Sequence, residues 1–337
     1  MKSMMSFLAV LFLLESSTAW SQERESIQPK LQAAEVIPDV EYCTGGGHPL
    51  RLDMTRPKVR PDKPMPVVVY LHGGGWKGHK PETGTRFASR GFFGVNVDFR
   101  PSDEAPFPAQ LEDVKCAIRF LRAKAKEFHI DTRRIAVWGD SSGGHIAALL
   151  GTTGDVKEFE GTGGWQNFSS RVNAVILVSA PTDLQRAFEE ARQLGMSDEA
   201  LAQPRADVEQ LIGGRLDESK EKLARANPLA YVTKDDPPFL LIHGDQDQVV
   251  SAGNSIWLYE ALKAANVPAE LHILKGSGHN ISGQLSFPLI LGFLDHYFNL
   301  DLSHQGPQFK IPFPANYFGV RRGAEAGFRS WQISPGV

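Results

Sequence analysis

The chain of 337 residues is 42% hydrophobic and 22% charged, with a net charge of −3. That composition belongs to a globular protein with a substantial core. The slight negative charge gives no electrostatic reason to expect nucleic acid or an anionic membrane as partner.

The first residues read as an export signal. Lys2 precedes the apolar run Phe7–Leu14, and the small residues Ala19 and Ser21 stand at −3 and −1 if cleavage precedes Gln22. The run is far shorter than the ~20 residues of a membrane-spanning helix, and no cysteine follows it to carry a lipid. The expected organisation is a signal peptide over 1–21, a polar linker over 22–35, one α/β domain over 36–300 with a partial lid insertion over 184–227, and a C-terminal extension over 301–337. The expected location is secreted or periplasmic. Cys43 and Cys116, the two cysteines, read as buried free thiols rather than a disulfide framework.

Strands are predicted at Val36–Tyr42 and Leu50–Met54, joined by a turn at Thr44–Gly47. Short runs of consecutive apolar residues then recur at Val67–Leu71, Val95–Phe99, Ile135–Trp138, Val175–Ser179, Phe239–Ile242 and Leu271–Leu274. Such runs suit strands buried on both faces of a parallel sheet. Between them lie helical patterns. In Pro108–His129 the residues Leu111, Val114, Ile118, Leu121, Ala125 and Phe128 form one apolar stripe. Ile146–Leu150, Ser255–Ala265 and Pro288–Phe298 are the other helices. The predicted fold is α/β, a mostly parallel central sheet with helices on both faces and an antiparallel N-terminal edge. Residues 152–171 read as a loop near the top of the sheet. Leu184–Asn227 reads as charged and mostly helical, broken at Gly213-Gly214.

The chemistry centres on Trp138-Gly139-Asp140-Ser141-Ser142-Gly143-Gly144-His145, between a strand and an apolar helix. A nucleophile on so sharp a turn needs small residues two before and two after it. Ser141 satisfies this with Gly139 and Gly143; Ser142 would have Asp140 in the first place. The Ser142 N–H, at the start of the helix, then points toward a developing oxyanion. After the strand at Val67–Leu71 comes His72-Gly73-Gly74-Gly75-Trp76, where backbone N–H groups can approach a substrate oxygen. Gly74 and Gly75 are the expected donors, and His72 is expected to brace the loop. Trp76 is assigned to the substrate pocket, with packing as the alternative.

His279, in the flexible loop Gly276–Asn280 after the last strand, is the expected base. His145, His243 and His272 read as structural. Asp245 and Asp247, after the strand at Phe239–Ile242, both have the spacing of a triad acid, and Asp183 is a third candidate. The order Ser…Asp…His is not the His…Asp…Ser order of chymotrypsin-like peptidases.

These motifs together resemble the α/β-hydrolase superfamily over roughly residues 40–298. They are most similar to the feruloyl and acetylxylan esterase-like branch, which carries HGGGW and GDSSGGH motifs and is related to hormone-sensitive-lipase-type esterases. Phe107–Val114, Asn227-Pro228-Leu229 and Pro237–Asp245 support the likeness. The resemblance implies Asp247 as the acid, with Asp245 in reserve, and oxyanion donors at Gly74, Gly75 and Ser142. It implies a serine esterase needing no cofactor or metal; with the export read from the N-terminus, the expected substrates are acetyl or hydroxycinnamoyl esters of polysaccharides. A general carboxylesterase or lipase, an amidase or peptidase of the same fold, and an inactive binding module are the alternatives. Oligomeric state is not legible.

Overall fold

The computed structural model describes residues 33–78, 85–193 and 195–300. The expected signal peptide, most of the 22–35 linker and the 301–337 extension lie outside the described residues. In chain order the elements are β1 (Ala34–Gly45), β2 (His48–Pro57), β3 (Met65–Leu71), α1 (Thr85–Ala88), β4 (Phe93–Val97), α2 (Ala109–Ala123), α3 (Ala125–Phe128), β5 (Ile130–Asp140) and α4 (Ser142–Thr152). There follow β6 (Ala174–Val178), α5 (Leu184–Gln193), α6 (Asp198–Ile212), α7 (Lys220–Arg225), β7 (Phe239–Gly244), α8 (Gly253–Ala264), β8 (Ala269–Leu274) and α9 (Gly283–Phe298).

The run MPVVVYL has little polar surface to offer water, and every residue of β3 is buried. It lies within a sheet ordered β1-β2-β4-β3-β5-β6-β7-β8. Val67, Val69 and Leu71 join the core on one face with α2 and α4, while Val68 joins the core on the other face with α9. The alternation of side chains along a strand thus feeds two apolar layers from one strand. The expected antiparallel edge is present: β1 and β2 form a hairpin across Gly46 and Gly47, both at positive φ, and β2 pairs antiparallel with β4. The remaining pairings are parallel.

The topology fixes where chemistry can occur. β4 lies on one side of β3 and β5 on the other, so the strand order reverses there. The segments leaving β3 and β5 therefore emerge side by side, with Leu71 paired to Gly139. A crevice at the carboxyl ends of strands flanking such a reversal is the usual ligand site of open α/β sheets.

Several expectations change. The helix expected over 108–129 breaks at Lys124, which leaves helical geometry and divides α2 from α3. The apolar stripe survives the break, because Phe128 still reaches Phe120 and Phe93. Residues 152–171 lie against α2, where Glu160 pairs with the buried Lys115 and Arg119. The reading of Cys43 and Cys116 as free thiols is corrected: they form a disulfide, with Cα atoms 6.3 Å apart. β1 packs along α2 and brings together two residues 73 positions apart, a proximity that spacing alone does not reveal. The 184–227 insertion carries α5, α6 and α7, and Gly213 ends α6 in a left-handed cap.

Candidate active site

The turn between β5 and α4 explains each glycine of its motif. Ser141 has φ 51° and ψ −123°, a conformation that costs an L-residue on the order of 1–3 kcal/mol. A Cβ at Gly139 would lie 2.3 Å from the Gly143 carbonyl oxygen, and one at Gly143 would lie 2.2 Å from that of Leu71. A Cβ at Gly144 would meet Ala180 at 2.6 Å. The Ser141 N–H donates to the Val178 carbonyl, which ties the turn to β6.

Ser141, His279 and Asp247 are brought into one hydrogen-bonded line. His279 Nε2 is 3.0 Å from Ser141 Oγ, and its Nδ1 is 2.8 Å from Asp247 Oδ2. A carboxylate only accepts, so Nδ1 carries the proton and Nε2 presents its lone pair to the serine hydroxyl. The histidine loop is held from two sides. Ser179 Oγ donates to the His279 carbonyl at 2.9 Å, and a Cβ at Gly244 would lie 2.1 Å from the Ser277 carbonyl oxygen.

Asp247 has a fully enclosed side chain. Burial opposes its ionisation, but donors from His243, His279, Val250 N–H and Val249 N–H outweigh that cost and hold the carboxyl well below the usual range. Asp245 instead accepts from the Gly276 N–H at the turn. Asp183 accepts from the Arg186 N–H at the start of α5. Neither is hydrogen-bonded to His279.

The other histidines weighed as candidates are engaged elsewhere, and of these His243 touches the triad through Asp247. His243 contacts Ser255 Oγ and the Val250 carbonyl and lies 3.2 Å from Asp247. His272 lies in β8, 3.7 Å from Glu270. His72 stacks on Phe99 at 4.8 Å. His145 is fully buried between two partners: the Trp76 indole N–H donates to its Nδ1 at 3.1 Å, and its Nε2 lies 2.7 Å from the Ala226 carbonyl. An indole only donates and a carbonyl only accepts, so the tautomer is fixed as neutral Nε2–H. Burial lowers its pKa to about 4.

Gly74, Gly75 and Trp76 follow one another at φ 115°, 65° and 59°, turning the loop after β3 beside the nucleophile turn. Gly73 packs closest, its Cβ position being 3.1 Å from Ser141 Cβ. Ser142 begins α4, where N–H groups lack intrahelical partners. For Trp76 the structure favours the packing alternative: the residue is 5% exposed, its indole bonds to His145, and it is not among the residues lining the cavity at Ser141.

That cavity, about 250 Å³, is lined by Trp138, Val178, Ile281 and Phe287 together with the polar Arg86, Asp140, Ser179 and Asn280. Asp140 was not expected there. It accepts from Tyr70 Oη at 2.9 Å and from Trp138 Nε1 at 2.8 Å. Burial pushes its pKa up to about 6, against the opposing effect of these donors and of His279. Its place before the nucleophile was visible in the sequence, but its contact with Tyr70 depends on the β3–β5 pairing. His243 and Ser179 were likewise missed as supports; the four-residue spacing of His243 and Asp247 is the one signal that marked either.

Fold and site together define an α/β-hydrolase. More narrowly, the chain belongs to the BD-FAE family, whose model matches residues 52–262. It is similar to esterase LipC of Mycobacterium tuberculosis, 30% identical over 236 residues that cover 68% of this chain and 56% of that protein. The chain thus spans about half the length of the curated relatives it matches. Among solved structures it resembles a bifunctional GH43-CE protein of Bacteroides eggerthii, with TM-score 0.65 and 32% identity, covering 78% of this chain and 38% of that one. It also resembles a truncated carbohydrate esterase from gut microbiota, with TM-score 0.67 and 25% identity, covering 81% of this chain and all of that one.

Proposed function

We propose that this protein is an exported serine carboxylesterase that removes acyl groups, acetyl or hydroxycinnamoyl, from polysaccharides. The observation that carries the catalytic part is His279 bridging Ser141 and Asp247 at 3.0 and 2.8 Å. Ser141 Oγ attacks the ester carbonyl as its proton passes to His279 Nε2. The imidazolium so formed keeps its Nδ1–H on Asp247, whose carboxylate is held ionised by four donors. The carbonyl oxygen gains the negative charge and is received by the N–H groups of Ser142, Gly74 and Gly75. His279 returns its proton to the departing alkoxide, leaving an acyl-Ser141. Water then attacks the acyl carbon as its proton passes to His279; the acyl–Oγ bond breaks, His279 returns that proton to Ser141 Oγ, and the free acid departs.

The substrate class rests on the likeness to the truncated carbohydrate esterase from gut microbiota and on the cavity. Its volume of about 250 Å³, with Trp138 and Phe287 among mixed polar groups, suits an acetyl or an aryl acyl group better than a long alkyl chain. Export is supported by the Cys43–Cys116 disulfide, a bond that persists in oxidising compartments. The test is a comparison of kcat/KM on 4-nitrophenyl acetate, octanoate and palmitate, methyl ferulate and acetylated xylan. Acetyl, feruloyl or xylan substrates should lead; a maximum at octanoate or beyond would favour a general lipase.

A further inference from the structure

The 184–227 insertion reaches the loop after β3 through Asp207. On α6, Asp207 Oδ1 lies 2.7 Å from Lys77 Nζ and 2.8 Å from Gln203 Nε2, one turn earlier on the same helix. The other carboxylate oxygen, Oδ2, stands 3.0 Å from where a Cβ of Gly75 would be, so it lies against the bare Cα of that glycine. Lys77 is the residue that closes the loop, its N–H donating to the Gly74 carbonyl at 3.2 Å. Asp207 therefore grips the loop beside Gly75 and, through Lys77, at its downstream end. Between these two points lies Trp76 at φ 59°, a non-glycine residue in the left-handed region, a conformation that needs outside support.

We infer that Asp207 is a positioning residue of the reaction: with Lys77 it fixes the oxyanion loop, so the insertion serves catalysis. The inference rests on the esterase reading above and adds to it a role for the insertion. The charges matter as a pair. Asp207 alone would place a carboxylate beside the loop that must receive a second negative charge; Lys77 offsets it. Loss of Lys77 is therefore worse than loss of Asp207, and removing both recovers part of the loss.

The test uses the full chain with Asp207→Ala, Asp207→Glu, Lys77→Ala and the Lys77→Ala/Asp207→Ala double variant. For each, kcat and KM on 4-nitrophenyl acetate are measured per site titrated with a fluorophosphonate, alongside inhibition by phenylboronic acid, whose serine adduct is tetrahedral. Asp207→Ala should lower kcat about 10-fold with KM within about twofold, a loss on the scale of a small displacement in an active site. It should weaken the boronate in parallel. Asp207→Glu should regain most of the loss, and the double variant should exceed Lys77→Ala. An unchanged kcat per titrated site, a loss confined to KM, or additive single losses would overturn the inference. Failure of the esterase reading would show separately, as no turnover and no titratable serine in the unsubstituted protein.

Discussion

The phenol of Tyr70 donates to the carboxylate of Asp140 at 2.9 Å, joining β3 to β5 through a residue that lines the cavity at Ser141. A carboxyl held by two neutral donors, with no full counter-charge bonded to it, is costly to ionise.

The cost has a sign that can be measured. A carboxyl whose folded pKa is raised to about 6 contributes stability below its ordinary value near 4, and that stability is lost as pH rises through 6. Asp140→Asn removes the charge while keeping partners: its carbonyl accepts from Trp138, and its amide donates to a reoriented Tyr70. The variant should therefore be more stable than the parent at pH 8, by up to about 3 kcal/mol. The difference should shrink between pH 6 and 4. Thermal unfolding across pH 4–8 checks this, and a gap independent of pH would contradict it.

Asp247 and Asp245 separate cleanly. Asp247→Ala should lower kcat by about 10⁴, the scale of a triad acid that fixes the imidazole tautomer. Asp245→Ala, which loses only the bond to the Gly276 N–H, should keep kcat within a few-fold. Steady-state kinetics of both variants decide it.

Ser142 offers a sharper test of the adjacent serines. Its hydroxyl is buried and finds no hydrogen-bond partner among the described residues. Only its backbone N–H enters the proposed reaction. Ser142→Ala should retain activity and gain about 1 kcal/mol of stability, since an unsatisfied buried hydroxyl is removed. Urea unfolding and an activity assay check both parts.

Glu160 neutralises two cations whose side chains are 0% and 1% exposed, Lys115 and Arg119. Glu160→Ala leaves both without that carboxylate and should destabilise by about 3 kcal/mol. Denaturant unfolding should show a lower midpoint with an unchanged slope, and kcat at low temperature should be retained because Glu160 is outside the site.

What the sequence made legible follows from how local each feature is. The nucleophile turn is set by Gly139 and Gly143, within two residues of Ser141, and their Cβ positions are blocked by nearby backbone. The parallel strands show themselves as runs buried on both faces. Features built by pairing distant segments did not show. The Cys43–Cys116 bond depends on how β1 lies along α2, and the Asp140 environment on the β3–β5 register. Trp76 was ambiguous for a related reason: an aromatic after a glycine loop can face a cavity or a helix, and His145, 69 residues away, decides between them. Asp247 and Asp245 have equivalent spacing, which the resemblance resolved toward Asp247 and the reach of His279 distinguishes in the fold.

Whether Ser141 is the nucleophile, activated by His279, is decided by treating the folded protein with a fluorophosphonate and measuring intact mass and the modified peptide. One adduct per chain should form, mapped to Ser141, absent in Ser141→Ala and formed far more slowly in His279→Ala. No adduct on the folded protein, or an adduct on Ser142 that survives Ser141→Ala, would rule out Ser141 as the nucleophile.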